Sequence, residues 1–179
     1  MERREPDLPR IVGRFNDIHK TARIADTARI CGWCYIGPEV EIGENTVIGN
    51  FCEINSGAKI GRDTLLNSHC HLNSNTGVGD RVILGSGVLT ADEKYMTAIT
   101  ARITKKPCVI GDGCRIGQNS SLICTRLGDH VSIGAGSVVL EPEIKPFQVW
   151  AGVPARFIRE MTDYEIDIGS SDGDSDIPG

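Results

Sequence analysis

The side chains best suited to acid–base chemistry are few and fall in one region of the sequence. Of four histidines, His69 and His71 are separated by a single residue, and further along the chain Asp92 and Glu93 supply two adjacent carboxylates. A neutral imidazole accepts a proton near pH 7, and a carboxylate can hold an ammonium group. We therefore take His69, His71 and Asp92 as candidate catalytic residues.

The other two histidines are weaker candidates. His130, in the run 127–130, is predicted to be a surface residue. His19 lies in the run 17–22, which reads as an incomplete first repeat that caps the end of a repetitive fold.

The seven cysteines are better explained by packing than by metal or disulfide chemistry. Cys34, Cys52 and Cys70 recur every eighteen residues, which predicts a stacked internal column of free thiols. Cys31 and Cys34 form a Cys-x-x-Cys pair, but no second pair has zinc-ribbon spacing. We expect no bound metal.

The elements that position the candidate residues follow from a period of six. Every sixth residue from Ile24 to Leu84 is a branched aliphatic, and the residue four places after each of them is small. A six-residue unit requires a short strand plus a turn, which is the pattern of a parallel β-helix. Three such units close one triangular turn, so residues eighteen apart lie above one another.

The period fails after Leu89 and resumes at Ile110, which predicts a long loop inserted at 91–109. Loops held at both ends by a rigid scaffold commonly carry function. The step from Leu122 to Leu127 is five residues, so one corner is tightened. Counting the repeats on both sides of the loop gives about six turns, ending at the prolines of 141–146.

These patterns divide the chain into four parts. Residues 1–18 are predicted to be an N-terminal arm and cap, and 19–150 a β-helix with the loop 91–109 inserted. Residues 151–166 hold a closing motif and a short helix, starting near Pro154, that covers the last turn. The acidic tail at 167–179 is predicted to be disordered.

The hexads 42–47 and 133–138, Ile-Gly-Glu-Asn-Thr-Val and Ile-Gly-Ala-Gly-Ser-Val, resemble the repeats of the hexapeptide-repeat acyltransferases. The resemblance covers about residues 17–158. It implies an all-β fold, a left-handed parallel β-helix that usually assembles as a homotrimer. Fold alone does not define function.

A motif at 150–158 is similar to the Gly-x-Pro-Ala-Arg/Lys signature that closes acetyl-CoA-dependent members of this family. The resemblance implies acetyl-CoA as co-substrate, with its pantetheine arm along the later turns and its phosphates near basic residues of the motif. It thereby points to Gly134, Ala135, Arg156 and Arg159 as cofactor-binding residues, with the pair 105–106 as secondary candidates.

The loop resembles the Phe-Thr-Asn-Asp-x-Tyr run of N-acetyltransferases that act on nucleotide-linked amino sugars. Asp92 and Glu93 fall at the Asn-Asp places and Tyr95 is retained. Glu93 and Tyr95 are thus candidate substrate-binding residues. Asn73 and Ser74 join them because they stand eighteen residues before 91 and 92, on an outer face that leads to the loop.

Some sugar acetyltransferases of this class carry a His-Asp-Cys run that supplies the base. By register that run falls on 74–76, which is Ser-Asn-Thr here, so the expected histidine is absent. Either a neighbouring histidine replaces it, or an amine acceptor loses its proton without an enzymatic base.

Three functions remain open from the sequence. The leading one is an acetyl-CoA-dependent N-acetyltransferase for a nucleotide-linked amino sugar. The second is an O-acetyltransferase with His69 or His71 as base, and the third is a β-helical scaffold without catalysis. A carbonic anhydrase of this fold needs three convergent histidines, for which His69 and His71 have no third partner at turn spacing.

The composition argues against a nucleic acid or a membrane as a partner. A net charge of −5 argues against a nucleic-acid-binding surface, and no apolar run is long enough to span a membrane. The first residues lack the apolar segment of a signal peptide, so we expect a cytoplasmic protein with a small-molecule substrate.

Overall fold

The chain winds into a three-sided parallel β-helix, as the hexad repeat predicts. The computed structural model describes residues 13–94, 105–163 and 165. In this part, successive strands fall in turn on three sheets, two of seven strands and one of eight. Each of the first eighteen strands pairs in parallel with the strand three places later, and the last two strands of the chain pair antiparallel.

The strands are short, most of them only two residues long. The first sheet contains β1 Asp17–Ile18, β4 Tyr35–Ile36, β7 Glu53–Ile54, β10 His71–Leu72, β13 Leu89–Ala91, β16 Ser121–Ile123 and β19 Val138–Val139. The second contains β2 Arg23–Ile24, β5 Glu41–Ile42, β8 Lys59–Ile60, β11 Gly77–Val78, β14 Val109–Ile110, β17 Arg126–Leu127 and β20 Glu143–Ile144. The third contains β3 Arg29–Ile30, β6 Val47–Ile48, β9 Leu65–Leu66, β12 Ile83–Leu84, β15 Arg115–Ile116, β18 Ser132–Ile133, β21 Gln148–Gly152 and β22 Ala155–Glu160.

The core is a stack of aliphatic side chains inside the prism. In the two-residue strands the second side chain points inward and the first points out, so Leu66 is fully buried while Leu65 is half-buried. The predicted cysteine column is confirmed, because Cys34, Cys52 and Cys70 are all buried free thiols. Their Sγ atoms donate to backbone carbonyls 3.0–3.3 Å away on the next turn.

All seven cysteines are free thiols, as packing requires. Cys114 occupies a small inward position like those of the column, and burial raises its pKa to about 12. A thiol with such a pKa remains protonated at neutral pH and packs as a small apolar group.

The loop enters and leaves the prism without disturbing its register. The backbone N–H of Asp80 donates to the side chain of Asp112, 32 residues later. The equivalent bond one turn earlier, from Arg62 to Asp80, spans 18 residues. The insertion therefore adds 14 residues, the difference between these separations. Within it, residues 95–104 lie outside the described part.

The prism has about seven turns rather than the predicted six. Asp17–Ile18, assigned to the cap, pairs with Tyr35–Ile36 as a regular strand. At the other end Glu143–Ile144 fits between the two prolines, and Gln148–Gly152 continues the third sheet. The prolines lie just outside the strand, where no ladder hydrogen bond needs their missing N–H.

The predicted helix over the closing motif is wrong for residues 155–160. This segment is the strand β22, which folds back along β21 as an antiparallel hairpin. The chain reverses at Gly152, whose φ of 102° suits glycine. Phe157 then packs edge-on against Trp150, with ring centroids 6.2 Å apart. The N-terminal arm before residue 13 and the tail after 165 lie outside the described residues.

In the described part of the chain, no helix is both long enough and apolar enough to span a bilayer.

The orientation of the strands can be tested with neighbouring leucines of β9. Leu66→Ala should lower the free energy of unfolding by about 2–5 kcal/mol, because it leaves a cavity in the prism. Leu65→Ala is the matched control and should cost about 1 kcal/mol or less. Chemical denaturation followed by circular dichroism measures both, and equal losses would contradict the assigned inner and outer faces.

Candidate functional site

Four polar residues of the first sheet and its corner meet one lysine at the base of the inserted loop. We call Glu53, His71, Asn73, Asp92 and Lys105 the loop-base cluster. Glu53 and His71 are the outward residues of adjacent strands β7 and β10. Asn73 begins the corner after β10, Asp92 follows β13 at the start of the loop, and Lys105 lies on the return.

His71 is held on both ring nitrogens. Its Nδ1 lies 3.4 Å from a carboxylate oxygen of Glu53. Its Nε2 lies 3.0 Å from Oδ1 of Asn73 and 3.2 Å from Nδ2 of Asn55. One neighbour of Nε2 is an acceptor and the other is a donor, so both the protonated and the unprotonated nitrogen find a partner without ring movement. The orientation of the ring is therefore fixed by three side chains.

Asn73 connects this histidine to Asp92. Its Nδ2 donates to Oδ1 of Asp92 at 3.0 Å, which turns its Oδ1 toward His71. Its backbone N–H donates to the buried hydroxyl of Thr90 at 2.8 Å, which fixes the start of the corner. Asp92 is only 5% exposed, so its carboxylate is directed by these contacts rather than by solvent.

Lys105 closes the cluster from the returning side of the loop. Its Nζ lies 3.3 Å from Oδ2 of Asp92 and 4.0 Å from Oε1 of Glu93. The lysine ammonium is largely exposed, whereas the Asp92 carboxylate is buried. Asp92 and Glu93 therefore form a carboxylate pair that already binds one primary ammonium group.

His69 lies away from this cluster, at another corner of the prism. Its ring stacks on Phe51 with a centroid distance of 5.0 Å, in a line that continues through Trp33 to Phe15. We call these four side chains the aromatic ladder. All four residues have φ between 58° and 65°. The structure thus separates His69 from His71, which the sequence treated as equivalent.

The remaining substrate-binding candidates are placed unevenly. Ser74 is half-buried and follows Asn73 in the corner that leads to the loop. Glu93 is at the cluster through Lys105. Tyr95 lies outside the described residues. His130 stacks on Phe147 at a third corner, with ring centroids 5.2 Å apart.

The residues assigned to the coenzyme lie on the later turns. Exposed Ala135 lines a shallow groove of about 530 Å³ together with Arg115, Gln118 and Ser132. Gly117 also lines this groove, and a Cβ there would lie 2.3 Å from the backbone N of Ala135, so only glycine fits. Gly134 precedes Ala135 and donates its N–H to Trp150 O at 2.8 Å.

The two arginines of the closing motif differ in availability. Arg156 is exposed, and its guanidinium makes one hydrogen bond, of 3.0 Å, to the neighbouring carbonyl of Ala155. Arg159 makes a two-pronged ion pair with Glu165, at 2.7 and 2.8 Å. A phosphate at Arg159 would have to displace this carboxylate, whereas Arg156 is free of carboxylates among the described residues.

Sequence reasoning missed Glu53, Asn55 and Arg115. Glu53 stands eighteen residues before His71, so the repeat itself contained the signal for this pair. Asn55 stands eighteen residues before Asn73 on the same outer face, and the repeat therefore also contained a signal for its contact with His71. No group of three or more His, Cys, Asp or Glu side chains in the described ranges could hold a metal ion.

Two stretches of the chain match hexapeptide-repeat families. Residues 21–56 match the bacterial transferase hexapeptide (six repeats), and residues 107–141 match the hexapeptide repeat of succinyl-transferase. Among curated proteins, the mitochondrial gamma carbonic anhydrase 1 of Arabidopsis thaliana is 29% identical over 106 residues. That alignment covers 48% of this chain and 38% of the relative.

Solved structures share the fold over most of the chain. A proposed acetyltransferase of Bacillus cereus is 29% identical, with 86% of this chain and 83% of that chain covered and a TM-score of 0.53. AntD, an N-acyltransferase from Bacillus cereus solved with dTDP-4-amino-4,6-dideoxyglucose and coenzyme A, is 19% identical. Its TM-score is 0.64, with 84% and 83% of the two chains covered, and it supports the fold alone.

The repeat matches and the three-sided prism define the class of the molecule, an all-β protein with the left-handed β-helix architecture of hexapeptide transferases. The matches at residues 21–56 and 107–141 confirm the resemblance to hexapeptide-repeat transferases seen in the sequence.

The availability of Arg159 can be tested through Glu165. A hydrogen bond from the guanidinium of Arg159 is the main reason that the pKa of Glu165 falls from 4.5 to about 2. Hydrogen bonds from Thr162 lower this pKa further. The stabilisation from this pair is therefore complete above pH 4.5 and is lost as the pH falls through about 2. Carbon-detected NMR titration of the Glu165 carboxyl should show this low midpoint, and Arg159→Gln should return it toward 4.5. A wild-type midpoint near 4.5 would mean that Arg159 is free for another partner.

Proposed function

We propose that the protein is an acetyl-CoA-dependent N-acetyltransferase that acts on the amine of a nucleotide-linked amino sugar. The observation that carries the proposal is the loop-base cluster, in which Asp92 and Glu93 hold the ammonium of Lys105. An acceptor amine, protonated in water, presents the same group. The matches to transferase repeats at residues 21–56 and 107–141 support acyl transfer as the reaction, and AntD supplies an N-acylating example of the fold.

The chemistry needs only local proton movement. The acceptor ammonium binds to the carboxylate pair and passes one proton to water, which leaves a lone pair on nitrogen. That lone pair attacks the thioester carbonyl carbon, a C–N bond forms, and the C–S bond breaks. The attacking nitrogen gives up its second proton and the departing thiolate of the coenzyme takes up a proton, so the products are an amide and a free thiol. Holding both reactants in this geometry supplies much of the rate.

His71 has two possible roles in this scheme. With an amine acceptor its bond to Asn73 orients the amide that directs Asp92, and His71 is then a positioning residue. With a hydroxyl acceptor the ring must take the proton itself, and Glu53 at Nδ1 would stabilise the imidazolium. The Glu53–His71 contact therefore supports O-acetylation as the second candidate.

For the coenzyme, we propose the groove beside Ala135, with Arg156 near the phosphates. The residues that line this groove include Gly85, Ser86, Gly117, Ser132 and Ala135, whose small size leaves room for a narrow pantetheine arm. The groove and the loop-base cluster lie at different corners of one prism, on either side of the first sheet. We therefore propose a homotrimer in which the groove of one subunit faces the loop of another.

The acceptor class is tested by incubating the protein with acetyl-CoA and a panel of amino-sugar nucleotides and matched hydroxyl sugars, with thiol release as readout. We expect release with amines, and Asp92→Asn should reduce it more than either histidine change. His71→Asn should lower kcat by less than about a hundredfold, the low end for a general base. His69→Asn, in the aromatic ladder, is the matched control and should leave turnover unchanged. A thousandfold loss on His71→Asn would replace the amine mechanism with histidine-driven transfer.

The assembly is tested separately by light scattering at micromolar concentration, for which we expect the mass of three chains. The reason is that the groove and the loop-base cluster lie at different corners of one prism, so that we expect them to meet only between two subunits. A monomer mass in a protein with full activity would remove the shared site and require both substrates to bind to one prism.

A further inference from the structure

A second concave site adjoins the loop-base cluster on the side of the second sheet. It has a volume of about 350 Å³ and is lined by the returning loop, by β14 and by the corner between β16 and β17. Its charged lining residues are Lys105, Lys106 and Arg126. We call it the basic pocket. Pro107, Val109 and Pro142 complete its apolar wall, and Cys124 and Thr125 contribute its remaining polar groups.

The charge of the basic pocket is not neutralised from within. None of its lining residues is acidic. Lys106 and Arg126 make no ion pair with any other described residue, whereas Lys105 is paired with Asp92. Glu143 is the cross-strand neighbour of Arg126, but the two side chains do not form a salt bridge. Two cations therefore face a solvent-filled concavity without a carboxylate partner in the described part.

The pocket is built onto the same backbone as the cluster. The N–H of Lys106 donates to the carbonyl of Asp92, and the N–H of Cys124 donates to the carbonyl of Ala91, both at 2.8 Å. The five-residue step between Leu122 and Leu127 forms this corner, with Cys124 at a φ of 51°. Burial, and then the charge of Asp92, raise the pKa of the Cys124 thiol, while Lys106 opposes them. Anionic and cationic sites are thus held side by side.

From this arrangement we infer that the basic pocket binds the diphosphate of the acceptor, while the loop-base cluster binds its amine. The inference rests on the proposed function and adds a location for the nucleotide. A carboxylate pair next to a cationic pocket complements a ligand with an ammonium at one end and phosphates at the other. Lys105 lines the pocket and contacts Asp92, so it joins the two halves of the site.

Two substrates could bring phosphate to this pocket, since coenzyme A also carries phosphate groups. The coenzyme groove beside Ala135 lies at a different corner of the prism. Arg115 lines that groove, and Arg156 belongs to the last strand of the third sheet, which also contributes to the groove. We therefore assign the basic pocket to the phosphates of the acceptor. Binding of the coenzyme phosphates there is the alternative outcome of the test.

The test is calorimetric titration of the full chain with dTDP, UDP or GDP, and separately with coenzyme A. Arg126→Gln and Lys106→Gln should each weaken binding of the preferred nucleoside diphosphate about tenfold, the usual loss for one charged hydrogen bond. Affinity for coenzyme A should be unchanged. Arg29→Gln, an exposed arginine on the first turn of the third sheet, is the matched control and should alter neither.

Cys124 offers a second readout that requires no variant. A nucleoside diphosphate in the basic pocket should slow alkylation of the half-buried Cys124 severalfold, whereas alkylation of Cys31, half-buried at another corner, should keep its rate. Peptide mass spectrometry follows both thiols in one sample. Protection of Cys124 by coenzyme A alone would overturn the assignment in favour of the coenzyme, and equal rates with every ligand would overturn phosphate binding altogether.

Failure of this inference and failure of the proposed function give different results. Acetylation of amines with unchanged nucleotide affinity in Arg126→Gln would leave the function standing and remove the pocket. Loss of nucleotide affinity in that variant, in a protein that acetylates no acceptor on the panel, would leave a nucleotide-binding pocket and remove the proposed reaction.

Discussion

The position of every functional side chain depends on the backbone hydrogen bonds that join one turn of the prism to the next. Tyr35 N–H donates to Cys52 O at 2.9 Å, and the same bond recurs along each sheet. Strands of two residues have no stability by themselves, so each turn persists only because its neighbours complete it. This stacking fixes outward residues one turn apart at a strand spacing of about 4.8 Å. It thereby brings Glu53 to His71.

The insertion uses this rigidity. Fourteen extra residues leave the prism after β13 and return at β14 without a change of register. Their two ends are therefore fixed, and Asp92 and Lys105 meet at the point where the loop begins and ends. The carboxylate of Asp92 is buried against Asn73 from the turn below, which gives the site one wall from the scaffold and one from the loop. Sites of this kind, in which a rigid scaffold positions residues of a loop, commonly carry function.

The sequence was sufficient to predict the prism, because the position of each residue in the hexad shows whether its side chain points inward or outward. The sequence also placed Asn73 and Ser74 on the face that leads to the loop, because they stand eighteen residues before 91 and 92. It could not separate His69 from His71, because both are outward positions and only the corner geometry sends His69 into the aromatic ladder. It failed for 155–160, where the apolar residues of the closing motif pack as a hairpin on Trp150 rather than as a helix. The basic pocket could not be predicted from the sequence, because it forms where the loop returns to the prism and the loop has no repeat.

We propose that acyl transfer takes place at the loop-base cluster. A crystal structure of the protein with coenzyme A tests it most directly, because the sulfur marks the position of the acyl group. We predict that the pantetheine arm follows the groove beside Ala135 and that its sulfur ends beside Asn73 and Asp92 of the same or a neighbouring subunit. A sulfur atom that ends at the aromatic ladder, or at any site without contact to this cluster, would contradict the account.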